Sequence, residues 1–315
     1  MQTPKSFEIN ELFKDTDLPD FIRRVEEELI NAVQSDAQSL KIPLNRLLKY
    51  RGKRMRPSLV YLVGISLNCE SIEKLVKAAA SIELMHIASL VHDDIMDDSD
   101  VRWGKPTING LEGSNQALLA GDFLFAKSLA IASGISQKCA NELSKAYVEI
   151  CEGQALEADM LHNINRTEEH YRNTVKGKTV ALFSASVNLG AIISGATVET
   201  EKRLLEFSEH FGLMFQLLDD LQDIYGDTIK SGKPIGSDVK AGVYTLPVIL
   251  CPDAAEVDDN EIRKMVRDSG SLRKCMDLIE DYKNNALIAT ESFSKISHFV
   301  TIYHNIAVGQ LDLES

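Results

Sequence analysis

Apolar residues recur every three to four positions over long segments of this chain. Between Leu18 and Ala37, for example, four bulky residues fall on one face of a helix: Phe21, Val25, Leu29 and Val33. The alternation of apolar and polar residues that is typical of strands is nearly absent. The pattern therefore predicts an all-α bundle of roughly ten or more helices.

The same periodicity predicts the other helices in chain order. We expect them at Leu44–Tyr50, Pro57–Leu67, Ile82–Val101, Asn115–Ala132, Cys139–Leu161, Glu168–Ser194 and Glu199–Ile224. Further helices are expected between Leu246 and Leu311, around an acidic connection at Asp253–Asn260. The segment Gly104–Glu112 is predicted to be a loop.

An acidic cluster lies inside one of these apolar segments. Five aspartates fall within eight positions: Asp93, Asp94, Asp97, Asp98 and Asp100. Like charges at this density oppose packing in an ordinary core, so the cluster favours a bound cation. Because neither Pro nor Gly interrupts Ile82–Val101, a helix is expected there, with Asp93 and Asp97 on one face. His86 precedes Asp93 by two helical turns, or about 10.5 Å.

A second acidic cluster repeats the spacing of the first. It consists of Asp219, Asp220 and Asp223, near the end of another apolar helix. A single pattern of this kind is common on solvated helix faces, but two copies flanked by apolar helix favour a specific site. Carboxylate oxygens suit Mg²⁺, which fills its remaining positions with water and phosphate oxygens. Two clusters facing each other would hold several Mg²⁺ ions and, through them, a diphosphate.

Other metal sites fit these residues less well. Neither cluster has the loop pattern of an EF-hand calcium site with its distal Glu. The Glu-x-x-His pairs of a di-iron site are missing from both clusters. We therefore interpret the two clusters as magnesium sites.

Two segments of the chain are rich in basic residues and could act together with the acidic clusters. One group, Arg51, Lys53, Arg54 and Arg56, precedes Pro57, and another, Lys230, Lys233 and Lys240, is interspersed with glycines. A solvated surface patch and a flexible connection are the ordinary interpretations of such segments. An anionic ligand would instead use both the basic groups and the acidic clusters.

Composition narrows the possible functions. The 315 residues show no linker or low-complexity tract, which predicts a single domain over residues 1–315. The net charge of −13 argues against nucleic acid as the main partner. Five scattered cysteines without CxxC spacing predict neither a zinc site nor disulfides and suit a reducing cytoplasm. We expect no signal peptide and, because no uncharged stretch reaches about 18 residues, no membrane span.

Four motifs, in order, carry a resemblance to a known family. They are GKRMRP at Gly52–Pro57, HDDIMDDSDVRWGKPT at His92–Thr107, GKTVAL at Gly177–Leu182 and FQLLDDLQD at Phe215–Asp223. Together the motifs, within about Lys49–Pro247, resemble the trans-isoprenyl diphosphate synthases. The resemblance implies an all-helical bundle around a deep central cavity, usually a homodimer. It also implies head-to-tail condensation of isopentenyl diphosphate with an allylic diphosphate.

The resemblance further implies roles for individual residues. The metal ligands would be Asp93, Asp94, Asp97, Asp219, Asp220 and Asp223, and several Mg²⁺ ions would bind the allylic diphosphate. Direct contacts to that diphosphate would come from Arg102, Lys178 and Lys233. Isopentenyl diphosphate would be held by Lys53, Arg56 and His86, and the reacting region would be lined by Thr179 and Gln216. The charge on the departing diphosphate would be stabilised by metal and cationic donors, and no protein nucleophile would be required.

Two positions depart from the family pattern, and three others bear on product length. Trp103 stands where the family commonly has a second arginine that binds isopentenyl diphosphate, and Val243 stands where a lysine is common. Ala88 and Ser89, one turn before the first cluster, are small, whereas short-chain members often have an aromatic ring there. The product is therefore expected to have geranylgeranyl length or more, with Met85 among the residues that could set its end.

Two alternative functions stay open at this point. A class I terpene cyclase shares the fold and the metal-triggered ionisation, although its second metal motif usually contains Asn, Ser and Glu rather than DDLQD. A weakly catalytic subunit of a heteromeric synthase is the other alternative, and Trp103 favours it.

Overall fold

Helices dominate the residues that the computed structural model describes, which are 16–50, 52–226, 235–255 and 261–313. Within those ranges, the one sheet is a short hairpin in which β1 (Val101–Arg102) pairs antiparallel with β2 (Lys105–Pro106). The prediction of an all-α fold is confirmed.

The helices follow the chain in a simple order. They are α1 (Leu18–Ala32), α2 (Gln38–Leu48), α3 (Met55–Ser66), α4 (Ile72–Met96), α5 (Ile108–Glu112), α6 (Ser114–Ile135), α7 (Gln137–Ala158), α8 (Glu168–Val175), α9 (Ala181–Ile193), α10 (Val198–Tyr225), α11 (Ser237–Lys240), α12 (Leu246–Ile249), α13 (Ile262–Asp268), α14 (Ser271–Ala289) and α15 (Ser294–Val308). A π-helical turn at Lys176–Val180 joins α8 to α9, and a 3-10 turn occupies Pro252–Ala255.

Several predicted boundaries are wrong. The first helix ends at Ala32 rather than Ala37, and the second begins at Gln38 rather than Leu44, with a proline inside it. The predicted loop Gly104–Glu112 contains β2 and the short helix α5, which the Thr107 hydroxyl caps by accepting from the Gly110 N–H. The start of α5 thus depends on a capping contact rather than on apolar periodicity.

The chain divides into two compact units. The first comprises Met1–Lys145 and Ala185–Glu201, and the second comprises Ala146–Ser184 and Lys202–Ser315. The prediction of one domain over residues 1–315 stays a prediction.

The first unit is built around α4, which packs against α1, α3 and α6. The helix is covered through its middle, where Ala79, Leu84 and Met85 are completely buried. A helix covered in this way belongs to the core rather than to the surface. The first acidic cluster lies at the C-terminal end of this central helix.

An aromatic core holds the N-terminal part of α9, α10 and α15 together in the second unit. The rings of Phe183 and Phe211 pack edge to face with their centroids 5.1 Å apart, and the centroids of Phe211 and Phe299 are 5.5 Å apart. Gly212 brings α10 close to the π-turn, since a Cβ there would lie 2.8 Å from Cγ2 of Val180. The second acidic cluster follows this core on α10.

Among the described residues, two helices have the length and composition to cross a membrane. In α4 most of the apolar segment is buried inside the fold, as in the core helix of a soluble protein. In α6 about a third of the apolar segment is buried. Composition alone therefore does not separate these helices from membrane spans.

Candidate active site

The first acidic cluster straddles the end of α4. The helix stops at Met96 rather than continuing to Val101 as predicted, because Asp98 has a left-handed backbone with φ 47°. The Asp98 N–H donates to the Ile95 carbonyl and the Ser99 N–H to the Asp94 carbonyl, which is a Schellman arrangement. Asp93 and Asp94 thus lie in the helix, and Asp97 ends it.

The β-hairpin places the guanidinium of Arg102 next to this cluster. Nε of Arg102 donates to Oδ1 of Asp94 at 2.7 Å. Burial raises the pKa of Asp94, although Arg102 opposes the shift. Asp97 is exposed and Asp93 is half-buried. Arg102 is therefore attached to the metal-ligand cluster that the sequence predicts.

Trp103 forms the turn of the hairpin together with Gly104. Both have positive φ, 50° and 71°, as a two-residue turn of type I′ requires. The indole is 58% exposed, and the Arg102 guanidinium lies 5.8 Å from its ring centroid. The indole thus contacts Arg102 through its ring face.

Two of the residues predicted to bind isopentenyl diphosphate, Arg56 and His86, lie close together in the first unit. Burial lowers the pKa of the His86 imidazole well below its ordinary value, and the positive charges of Arg56, Arg54 and Arg102 lower it further. The ring is therefore neutral at physiological pH. Lys53, just before Arg54, is exposed, and Arg56 is half-buried.

The residues predicted to control product length differ in exposure. Met85 and Ala88 have no exposed surface, whereas Ser89 is half-buried and its hydroxyl donates to the His86 carbonyl at 2.8 Å. In the first unit, Ser89 is thus the more accessible of the two small residues.

In the second cluster, one carboxylate is buried and the others are not. Asp220 is 2% exposed and accepts hydrogen bonds from the Tyr171 hydroxyl at 2.6 Å and from Nε2 of Gln216 at 2.9 Å. Burial raises the pKa of Asp220 to about 7. The two hydrogen bonds oppose this increase, and the negative charges of Asp219 and Asp223 add to it. Asp219 is exposed.

Asp223 connects α10 to the segment that follows it. Its Oδ1 accepts from the Ser237 hydroxyl and its Oδ2 from the Asp238 N–H at 3.2 Å. Lys233, which the sequence predicts to bind diphosphate, lies outside the described residues, as does Lys230.

The π-turn presents two further predicted residues. Nζ of Lys178 forms an ion pair with Oε1 of Glu157, and the Thr179 hydroxyl donates to Oε1 of Gln216 at 2.6 Å. Gly177 lets the π-turn pack closely against α7, because a Cβ there would lie 2.6 Å from the Glu149 carbonyl oxygen. Such π-turns often occur at functional sites.

Sequence reasoning missed Tyr171 and left Glu157 without a role. Tyr171 orients the carboxylate of Asp220, and Glu157 holds the ammonium of Lys178. One signal was available, since Tyr171 precedes Lys178 by seven positions in a helical pattern. The partner Asp220 lies 49 residues away, which no local pattern reveals.

The acidic residues suit a divalent ion that arrives with a phosphate ligand. Among the described residues, no three His, Cys, Asp or Glu side chains converge to hold a metal ion by themselves. Mg²⁺ rarely needs such a cage, because it binds one or two carboxylates and completes its shell with water and phosphate oxygens. The raised pKa values of Asp94 and Asp220 indicate buried carboxylates whose negative charge is incompletely compensated.

The sequence matches known proteins over most of its length. A family described as polyprenyl synthetase matches residues 37–281. A short chain isoprenyl diphosphate synthase of Methanocaldococcus jannaschii is 42% identical over 233 residues, which cover 72% of this chain and 70% of that protein. Component 2 of a heptaprenyl diphosphate synthase of Geobacillus stearothermophilus is 38% identical over 233 residues, covering 74% and 72%.

The fold also matches a solved structure. The polyprenyl synthase of Caulobacter crescentus, crystallised with calcium and isoprenyl diphosphate, aligns with a TM-score of 0.84 and 27% identity. The alignment covers 99% of this chain and 100% of that one.

Proposed function

The chain belongs to the polyprenyl synthetase family, and from this we infer that it is a prenyltransferase with the all-α isoprenoid synthase fold. It joins isopentenyl diphosphate head-to-tail to an allylic diphosphate and releases a trans-polyprenyl diphosphate. The resemblance drawn from the four motifs is confirmed. The observation that carries the function is the pair of acidic clusters, each with one buried carboxylate, in a chain that matches this family over residues 37–281.

Mg²⁺ and the allylic diphosphate would be held by six of the aspartates, namely Asp93, Asp94, Asp97, Asp219, Asp220 and Asp223. Bound Mg²⁺ supplies the positive charge that stabilises the diphosphate as a leaving group. Arg102, Lys178 and Lys233 donate to the same diphosphate. The ion pairs of Arg102 with Asp94 and of Lys178 with Glu157 support this, because each holds a cationic donor next to a carboxylate.

Isopentenyl diphosphate binds to Lys53, Arg56 and His86. The neutral imidazole of His86 is suited to donate a hydrogen bond beside two cations, since it adds no third positive charge. The isopentenyl double bond attacks the allylic cation, and the proton lost afterwards passes to the released diphosphate. Thr179 and Gln216 line the reacting region, and their mutual hydrogen bond fixes the orientation of the amide.

The product has geranylgeranyl length or more. Ser89 and Ala88 leave room where a larger side chain would stop the growing tail, and Met85 lies on the same helix. The name of the heptaprenyl relative agrees with a long product, although the short chain relative shows that the family includes other lengths.

The active form is a homodimer. The support is α6, where Leu118 and Leu119 are 52% and 48% exposed on a helix that is otherwise strongly apolar. Exposed apolar helix surface of this kind favours burial against another chain. The heptaprenyl relative is named as one component of a synthase, so a heteromer is the alternative, and mass photometry of the purified chain distinguishes the two. The dimer functions in the cytoplasm, and the net charge of −13 argues against nucleic acid as a partner.

An assay of the purified chain tests the function. With Mg²⁺, isopentenyl diphosphate and an allylic primer, chromatography is expected to show a polyprenyl diphosphate series. Asp93→Asn and Asp219→Asn should each reduce kcat by about 100-fold or more, because each removes a carboxylate that holds the metal. Asp98→Asn is the control, since Asn tolerates the left-handed backbone there and should leave kcat unchanged.

The same assay separates the alternatives. A terpene cyclase would release hydrocarbon or alcohol when isopentenyl diphosphate is omitted. A weakly catalytic subunit would form product only after a partner chain is added. Either result would contradict the proposed function.

A further inference from the structure

A buried ion cluster joins the segment before α3 to two other helices. Nε of Arg54 donates to Oε1 of Glu26 on α1, and its Nη1 donates to Oε1 of Glu83 on α4, both at 2.6 Å. The side chains are 7%, 10% and 4% exposed, respectively. One guanidinium therefore connects three separate parts of the first unit.

The backbone of Arg54 is also unusual. It has a left-handed conformation with φ 50°, which is energetically unfavourable for a residue that carries a Cβ. The Arg54 carbonyl accepts from the Ser58 hydroxyl at 2.8 Å and from the Ser58 N–H at 3.1 Å, in the first turn of α3. The side chain and the backbone of Arg54 are thus both fixed in place.

Stability alone does not explain this arrangement. Burying three charges costs desolvation energy that offsets their mutual attraction, so a buried ion cluster is a weak source of stability. A planar guanidinium held by two carboxylates has, however, a fixed orientation. The ion cluster therefore fixes the orientation of Arg54 more than it stabilises the fold.

The neighbours of Arg54 are the residues assigned to one substrate. Lys53 and Arg56 flank it along the chain, and Glu83 lies one helical turn before His86 on α4. Burial lowers the pKa of Arg56 to about 10, and the charge of Glu83 opposes this decrease. Glu83 therefore acts on both arginines of the segment.

We propose that Arg54, held by Glu26 and Glu83, is a positioning residue for the isopentenyl diphosphate subsite. It holds Lys53 and Arg56 at a constant distance from His86, and the cluster itself does not touch the substrate. This inference rests on the proposed function, which assigns those three residues to isopentenyl diphosphate.

Arg54→Lys tests the proposal, because lysine keeps the charge but its ammonium does not reproduce a planar contact to two carboxylates. The KM for isopentenyl diphosphate is expected to rise about tenfold, as on losing one charge-assisted hydrogen bond. The KM for the allylic diphosphate and kcat should stay within about twofold. Glu26→Gln, which weakens one of the two contacts, should raise the same KM by a smaller factor.

Glu73→Gln is the matched control. The ion pair between Arg24 and Glu73 also links α1 to α4, but Glu73 is 62% exposed. Exposed pairs contribute little, so this variant should leave all three kinetic constants unchanged.

Each result bears on the proposal in a defined way. An unchanged KM for isopentenyl diphosphate, or an equal rise for both substrates, would overturn it. If Arg54→Lys does not fold by circular dichroism, the same comparison of KM values is made on Glu26→Gln. An inactive wild-type chain would overturn the proposed function, whereas an active wild type with unaffected variants would overturn this inference alone.

Discussion

Asp220 is predicted to destabilise the metal-free protein at neutral pH. Burial raises its pKa from an ordinary value of 3.8 to about 7, a difference of about 3 units. Because the folded-state pKa is the higher one, the stability from the protonated carboxyl is fully present below about pH 4 and is lost as the pH rises through about 7. At 1.36 kcal/mol per unit, ionising this carboxyl costs the fold about 4 kcal/mol at pH 8.

Asp220→Asn removes that cost, because an amide does not ionise. Tyr171 and Gln216 must then share their hydrogen bonds differently, which costs about 1 kcal/mol. The variant should therefore be more stable than the wild type by about 3 kcal/mol at pH 8 and by less than about 1 kcal/mol at pH 5.

Urea unfolding of the chain in EDTA, at pH 5 and pH 8, measures both differences. Asp277→Asn on α14 is the control, since Asp277 is exposed and its removal should change stability by less than about 1 kcal/mol. Adding Mg²⁺ with inorganic diphosphate should reduce the gap at pH 8, because a bound cation compensates Asp220 in the wild type. An Asp220→Asn variant that is equally stabilised at both pH values, or destabilised at pH 8, would refute the reasoning.

Two further changes test the site. Ser89→Phe should shorten the product, because Ser89 is the more exposed small residue before the first cluster, and a product distribution identical to wild type by chromatography would contradict this placement. Trp103→Arg should lower the KM for isopentenyl diphosphate several-fold, by about 1 kcal/mol, since arginine adds charge-assisted donors that indole lacks. Steady-state kinetics at saturating allylic diphosphate measure this, and an unchanged KM would show that the indole does not limit binding.

The class of fold and the chemistry of the site could be predicted from the sequence. The 3.6-residue periodicity of apolar residues is a local property. The all-α fold and the long helices can therefore be predicted without knowledge of tertiary contacts. The repeated spacing of Asp93, Asp94 and Asp97 in a second apolar helix indicated a divalent-metal site. These features depend on neighbours along the chain, which a sequence displays directly.

Only the tertiary structure decided which carboxylates are buried and how they are held. Asp220 is buried and accepts hydrogen bonds from Tyr171 and Gln216. Asp94 forms an ion pair with Arg102, which lies on the β-hairpin. The end of α4 was likewise missed, since a left-handed Asp98 stops a helix that composition would extend. Burial, pKa and chain direction depend on contacts between residues far apart in sequence, and the apolar pattern of one segment does not contain them.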